Sequence, residues 1–174
     1  GGGPCGVACA VRVLEKGHDV VIFEKEHELG GVPNSAIRAS RYAETQTAIS
    51  AILQPALDAG ALEIRFGEEV GNGVALRDLV GRYDAVLLAA GLAQEQSIGK
   101  AEGVVDAMTF LKDAKQGRRK TIPRRVAVLA GGDSAMDAAV VALELGATEL
   151  RVVYGGSIAE MHWHMPDDWF ETSG

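Results

Sequence analysis

The sequence predicts an α/β fold in which short parallel strands alternate with crossover helices. Apolar, β-branched runs take turns with longer helix-like segments along the 174 residues, and glycines cluster between them. Hydrophobic residues make up 47% of the chain and charged residues 24%, which is ordinary for a folded protein and unlike a disordered one. We therefore expect a packed α/β protein.

The first half of the chain gives the clearest elements. Residues 4–16 show helical spacing of apolar side chains and end at Gly17, a common position for a helix-terminating glycine. A short β-branched run at 19–24 predicts a buried strand. The elements expected next are a helix over 41–59 that Pro55 should kink, a strand over 62–66, a helical turn at 76–80, and a buried strand over 84–91.

The second half repeats the same order. After a connector at 94–103, a helix is expected over 104–116, with an inner face of Val105, Met108, Phe110 and Leu111. A strand over 125–129, a glycine turn at 130–132, a helix over 133–145 and a strand over 149–154 should follow.

These elements suggest a first domain over 1–92, a connector and helix over 93–123, and the start of a second domain over 124–174. No strand precedes Gly1, and the second repeat stops about 40 residues after its glycines. We therefore expect both domains to be incomplete in this chain.

Charge and hydropathy exclude several classes of function. The formal net charge of −7 disfavours nucleic-acid and anionic-membrane surfaces, which need a positive field. No apolar run approaches the roughly 20 residues of a membrane span, and no leader is visible, so a soluble, cytoplasmic protein is expected. Cys5 and Cys9 stand four positions apart on a helix, where a disulfide is awkward, so they are expected to serve as small helix residues.

A glycine turn opens the chain. Gly1, Gly3 and Gly6 fit the Gly-x-Gly-x-x-Gly pattern directly before a helix and a strand. In such a turn the glycines allow a tight bend, approach to a pyrophosphate and close helix packing, and the helix N-terminus faces the phosphates. Glu24 ends the following strand, where an acid accepts hydrogen bonds from ribose hydroxyls. The pattern predicts a dinucleotide site, with Gly30 and Gly31 either close to the nucleotide or an ordinary turn.

The motifs resemble a known family. The matching stretches are Gly1-Gly2-Gly3-Pro4, Gly17-His18-Asp19-Val20, Phe23-Glu24-Lys25, Gly30-Gly31, Tyr83 to Gly91, Ala135-Met136-Asp137-Ala138-Ala139 and Glu160-Met161. Together they resemble the small subunit of NADPH-dependent glutamate synthase and the related flavin-containing part of dihydropyrimidine dehydrogenase. The similarity covers essentially the whole chain.

This resemblance implies two nested Rossmann-like dinucleotide-binding domains, the first for FAD and the second for NADPH or NADH. Hydride would pass from nicotinamide to flavin, and electrons would leave to an iron–sulfur-containing partner subunit or domain. No side chain of this chain is needed as an acid or base. The residues implied to contact FAD are Gly1, Gly3, Pro4, Gly6, Glu24, Lys25, Gly31, Arg41, Val70, Ala90 and Gly91.

The second turn departs from the family pattern. Its candidate cofactor residues are Gly131, Gly132, Asp133 and Ser134, but Ala130 replaces the first glycine of the motif. Tyr154 is followed by Gly155 and Gly156 where the family has two arginines, which would hold the extra phosphate of NADPH. Ala90 likewise replaces a threonine near the flavin. The second site is therefore expected to prefer NADH or to hold no nicotinamide cofactor, as a plain strand-to-helix turn.

Two other functions stay open on the sequence alone. One is a non-catalytic scaffold or binding relative that keeps the fold, and the other is an enzyme with a single nicotinamide cofactor at the first turn. The tail offers His162, His164, Asp167 and Asp168 as metal ligands, but their spacing favours a surface segment.

Overall fold

The computed structural model describes residues 1–38, 45–92 and 101–156. Within these ranges the chain forms an α/β protein with parallel strand pairs, as predicted. The described residues divide into two compact units. The first contains Gly1–Ser35 and residues 45–92, and the second contains Ala36–Arg38 and residues 101–156.

The first unit is built on one parallel strand pair. Its elements in chain order are α1 (Pro4–Leu14), β1 (Val20–Glu24), α2 (Gly31–Ser35), α3 (Thr45–Asp58), β2 (Leu62–Phe66), β3 (Glu69–Val70), β4 (Gly73–Val74) and α4 (Leu76–Arg82). β1 pairs with β2 in parallel, from Val20 opposite Leu62 to Glu24 opposite Phe66. β3 and β4 pair with each other.

The core of the first unit lies between α1, α3 and the β1–β2 pair. Its buried side chains are Val7, Ala10, Ile22, Leu29, Leu53 and Leu62. Burial of these groups holds α1 against the sheet, and this fixes the position of the helix N-terminus relative to the end of β1. The last residue of α1 is Leu14, and its carbonyl accepts the Gly17 N–H at 2.9 Å. Gly17 has a φ of +81°, which turns the chain away from the helix.

The second unit repeats the arrangement. It contains α5 (Ala107–Lys115), β5 (Arg125–Leu129), α6 (Asp133–Glu144) and β6 (Glu149–Val153). β5 and β6 are parallel, with Arg125 opposite Glu149 and Leu129 opposite Val153. Its core joins α5, α6 and the segment at 36–38, through Ala36, Phe110, Leu111, Ala138, Val141, Ala142 and Ala147.

Polar contacts attach the segment Ala36–Arg38 to this unit. Arg38 Nε lies 3.3 Å from Oδ1 of the buried Asp137, and Arg38 Nη1 lies 3.4 Å from Glu144 Oε1. Lys115 Nζ donates to the Ile37 carbonyl at 2.5 Å. Burial lowers the pKa of Lys115, because the charged ammonium loses water. The segment is thus held at two of its three residues.

Most predicted elements are present, with ends shifted by a few residues. α1 ends at Leu14 rather than at residue 16, and α5 begins at Ala107 rather than at 104, so that Val105 is 45% exposed. The helix predicted over 41–59 is seen from Thr45, and its first residues lie outside the described ranges, as does most of the connector. α2, β3 and β4 were not predicted.

The buried strand predicted over 84–91 was wrong. These residues belong to no strand, and Leu87 and Leu88 are 55% and 63% exposed. A strand needs a hydrogen-bonded neighbour, and the β1–β2 sheet, within the described part of the chain, contains only those two strands. The apolar run therefore has no strand partner among the described residues.

Two further findings concern the same ranges. Each helix there is too short or too polar to cross a bilayer. Among residues 1–38, 45–92 and 101–156, no three His, Cys, Asp or Glu side chains gather as a metal site would require. The candidate ligands His162, His164, Asp167 and Asp168 lie outside them.

Candidate functional site

The glycine turn at the start of the chain leads directly into α1. Gly3 precedes the helix with extended backbone angles, and its carbonyl accepts the Val7 N–H at 2.9 Å. Pro4 occupies the first helical position, where its missing N–H costs nothing. The first turn of α1 contains no acidic side chain of its own to compete for the positive end of the helix dipole. This N-terminus is suited to an anionic group.

At two positions of the turn, the neighbouring backbone leaves no space for a side chain. A Cβ on Gly6 would lie 1.8 Å from the Gly1 carbonyl oxygen, and a Cβ on Gly1 would lie 2.2 Å from the Ala89 carbonyl oxygen. Both distances are far inside van der Waals contact with backbone. At Gly3 the nearest atom to a Cβ would be Gly31 Cα, at 3.8 Å, so space remains on this side of the turn. The first and third motif glycines thus allow chain packing, and Gly3 leaves room beside the helix N-terminus.

Glu24 meets the turn as the sequence spacing predicts. It ends β1 with 7% of its surface exposed, and its Oε2 accepts the Gly2 N–H at 2.6 Å. Its Oε1 accepts the Glu26 N–H at 2.9 Å. Two backbone donors therefore satisfy a buried carboxylate and fix its orientation. Each carboxylate oxygen has a second lone pair that could accept a hydroxyl proton.

The Gly30–Gly31 loop lies against the same turn. The Gly30 N–H donates to the Gly2 carbonyl at 2.8 Å. Gly31 has a φ of +58°, and a Cβ there would be 2.9 Å from Gly3 Cα. The structure thus brings together two separate glycine clusters around one bend of the backbone.

The other predicted cofactor residues of the first unit lie at different distances from the turn. Ala90 Cα is 3.7 Å from the position of a Gly1 Cβ, and Gly91 follows with a φ of +78°. Lys25 is exposed, with Nζ 3.9 Å from Glu69 Oε1. Val70 is half-buried in β3, paired with Val74. Arg41 lies outside the described residues.

The second turn has a different geometry at its first position. Ala130 adopts a φ of +145°, a region that residues with a Cβ avoid, while its N–H donates to the Val153 carbonyl at 3.1 Å. Gly132 precedes α6 with a φ of −89° and has no atom within 4 Å of a Cβ position. Asp133 and Ser134 are exposed in the first turn of α6. The Cβ of Ala130 therefore strains a turn that its motif builds with glycine.

An aromatic ring covers the middle of this second turn. Gly131 is buried, and a Cβ there would lie 2.7 Å from Cδ2 and 2.9 Å from Cγ of Tyr154, the residue after β6. Sequence reasoning missed this contact. It also missed Gly2, which donates to Glu24 from an unspecified position of the motif, and Ala89, whose carbonyl faces Gly1. No spacing rule singles out these residues.

Several known proteins are similar to this chain. Residues 1–163 match the family model described as pyridine nucleotide-disulphide oxidoreductase. The chain is 32% identical over 169 residues to the small chain of NADPH glutamate synthase from Escherichia coli (strain K12), a match that covers 88% of this chain and 35% of that protein.

A second curated protein and one solved structure are also similar to this chain. The NAD-dependent dihydropyrimidine dehydrogenase subunit PreT of Salmonella typhimurium is 30% identical over 164 residues, covering 92% of this chain and 39% of that protein. A solved 2-naphthoyl-CoA reductase complex superposes with a TM-score of 0.62 at 25% identity, over 87% of this chain and 22% of that one. The chain thus spans about a third of the length of these two curated relatives.

Proposed function

This chain belongs to the pyridine nucleotide-disulphide oxidoreductase family, and on that basis we propose that it is a flavin-dependent module that takes hydride from NAD(P)H and passes electrons to a partner. The resemblance inferred from the motifs is confirmed by the family match and by the curated relatives. The observation that carries the proposal is the buried Glu24 carboxylate, bonded to Gly2 at 2.6 Å inside a turn without side chains.

The first turn fits the pyrophosphate and ribose of FAD. The open side of Gly3 and the N-terminus of α1 would face the pyrophosphate, because unpaired helix N–H groups bind anions. Glu24 would accept a hydrogen bond from the adenosine ribose. Bound FAD would supply the redox chemistry itself, accepting hydride from nicotinamide and releasing electrons to an acceptor. The contribution of the chain is to hold the cofactor in place.

The second turn is the proposed place of the nicotinamide nucleotide. Gly132 leaves open space beside the N-terminus of α6, since a Cβ there would have no atom within 4 Å. Gly132, Asp133 and Ser134 would lie along the dinucleotide, and Gly131 would support the turn beneath Tyr154. The positions of β5, the turn, α6 and β6 repeat those of a nucleotide-binding strand, turn, helix and strand.

The electron acceptor is proposed to be another subunit or domain. Of the two curated relatives described above, one is named as a small chain and the other as a subunit. An iron–sulfur group in such a partner would suit electrons leaving a flavin one at a time. We further propose that the module works in the cytoplasm.

Flavin binding tests the proposal directly. Purified protein titrated with FAD should quench flavin fluorescence, and anaerobic NADH or NADPH should bleach the visible flavin absorbance. Glu24→Ala should weaken FAD binding about tenfold or more, because a charged hydrogen-bond acceptor is lost. Glu63→Ala, which removes an exposed β2 carboxylate paired with Arg65, is the matched control and should bind FAD normally.

Glu24→Gln separates a binding role from a folding role, because it keeps the side-chain shape and one acceptor. Circular dichroism should show that both Glu24 variants keep the helical signal. Failure of the unmodified protein to bind FAD, or unchanged affinity in folded Glu24→Ala, contradicts the proposal.

One observation favours a second candidate, a relative that keeps the fold but has lost nicotinamide binding. Ala130 at a φ of +145° strains the turn that would contact the dinucleotide. Protein that binds FAD but is not reduced by NADH or NADPH supports this candidate. Reduction by either nucleotide rules it out.

A further inference from the structure

The two turns of this chain differ at one equivalent place. In each, a residue from the end of the strand that follows the helix contacts the middle glycine. At Gly2 the atom nearest to a Cβ position is Leu29 Cδ2, at 2.3 Å, and the residue from the strand end is Glu24, whose Oε2 lies 3.2 Å from that position. Over Gly131 it is Tyr154, whose ring atoms lie 2.7, 2.9 and 3.0 Å from the Cβ position. A carboxylate in the first unit is therefore replaced by an aromatic ring in the second.

The side chain at this place determines whether a dinucleotide site accepts an adenosine ribose with a free 2′-hydroxyl or one with a 2′-phosphate. An acid there bonds the free 2′-hydroxyl, whereas an arginine nearby is needed for the 2′-phosphate of NADP(H). A phosphate dianion that loses water without meeting a cation is strongly disfavoured. The chemistry at the end of the second strand should therefore decide between NADH and NADPH.

The described residues that directly follow β6 carry no cation. β6 leads into Tyr154, Gly155 and Gly156, none of which carries a charge, and positions 152–174 contain no Lys or Arg. Asp133 adds a negative charge in the first turn of α6. The overall charge of −7 also opposes the binding of a further phosphate.

We propose that the second unit selects NADH against NADPH, because Tyr154 and Gly155 stand where a 2′-phosphate would need a cation. This inference rests on the proposed function, since it assumes that the second turn binds a nicotinamide nucleotide. Tyr154 itself is 38% exposed and supplies no positive charge. Selection here comes from the absence of compensation for the phosphate, and discrimination of about tenfold is expected.

Nucleotide titration of the purified protein tests the proposal without any need for turnover. Changes in NADH and NADPH fluorescence give the two dissociation constants, and NADH should bind at least about tenfold more tightly. AMP and its 2′-phosphorylated form should compete in the same order, because they report on the adenosine end alone. Raising the salt concentration should change the NADH constant little.

Gly155→Arg should change this preference. A Cβ at Gly155 meets no atom within 4 Å, and its φ lies outside the positive range, so an arginine fits without strain. NADPH affinity should rise about tenfold while NADH affinity stays the same, because the new guanidinium pairs only with the phosphate. Gly81→Arg is the matched control, since Gly81 lies in α4 of the first unit with equally open surroundings. It should leave both constants unchanged.

The titrations distinguish a failure of the proposed function from a failure of the proposed NADH preference. If the unmodified protein binds neither nucleotide, the proposed function of the second unit fails and the inference fails with it. If it binds both, with NADPH equal or tighter, the function stands and the inference is overturned. The ratio of constants in the unmodified protein decides this even if Gly155→Arg folds poorly.

Discussion

Ala130 holds a backbone conformation that suits glycine, so a glycine at this position should stabilise the second unit. Its φ of +145° lies in a region that residues with a Cβ rarely adopt, at a cost of about 1–3 kcal/mol. Ala130→Gly should therefore raise the free energy of unfolding by about 1 kcal/mol, after allowing for the greater freedom of glycine in the unfolded chain. Urea denaturation followed by circular dichroism measures the change.

The same exchange should have the opposite sign in an ordinary helical position. Ala51 is exposed within α3, so Ala51→Gly should lower the free energy of unfolding by about 1 kcal/mol. Equal effects at the two positions would show that Ala130 is not strained.

Gly6 represents the contrary case, in which a side chain is excluded by contact. A methyl group at Gly6 would overlap the Gly1 carbonyl oxygen, so Gly6→Ala should cost about 2 kcal/mol or more of stability and abolish FAD binding. Gly81→Ala, in open surroundings within α4, should instead stabilise the protein by about 0.5 kcal/mol. Thermal unfolding and FAD titration of the two variants check both signs. Gly6→Ala protein with normal stability would contradict the observed packing.

Single residues show how far sequence reasoning reaches. Glu24 could be predicted to meet the glycine turn, because the helix and strand lengths between them follow a known spacing rule. The ring of Tyr154 over Gly131 could not, since its position depends on how the chain turns after β6. The φ of Ala130 is an intermediate case, because the motif indicates glycine there and the structure gives the angle.

At the scale of elements, helix α5 depends on a side chain that begins it. Asp106 precedes the helix, and its carboxylate accepts the Thr109 N–H at 3.0 Å. Asp106→Ala should lower the free energy of unfolding by about 1 kcal/mol, because an N–H at the helix start loses its acceptor. Asp106→Asn should stay close to the unmodified protein. Chemical denaturation distinguishes the two, and equal losses would argue against a capping role.

The helices and the short strands could be predicted from the periodicity of the sequence, but the pairing of strands could not. The apolar run at 84–91 has the composition of a buried strand, yet its neighbour in a sheet is a long-range property that composition does not encode. Helix α1 was predicted two residues too long because Glu15 and Lys16 are good helix formers that the structure places in the closing turn. Local preference therefore gave the type of each element better than its ends or partners.

At the scale of the whole molecule, the described part of the chain contains two hydrophobic cores that share no residue. Leu53, 1% exposed, lies in the first, and Leu111, 2% exposed, lies in the second. The sequence predicts a domain boundary somewhere over 91–123, and this boundary stays a prediction. The sequence could not assign Ala36–Arg38 to the second unit, because the pairing of Arg38 with Asp137 joins positions far apart in the chain.

The lengths of the two parallel crossovers have a kinetic consequence. The connection from β1 to β2 runs over 25–61, about twice the length of the connection from β5 to β6. Each doubling of a loop's length adds about 0.6 kcal/mol to the entropic cost of closing it. The β5–β6 pair should accordingly form about threefold sooner during refolding. Pulsed hydrogen exchange would then find amides of Val126 and Val152 protected before those of Ile22 and Ile64. Earlier protection of β1 would mean that local helix formation, rather than chain closure, limits the rate of assembly.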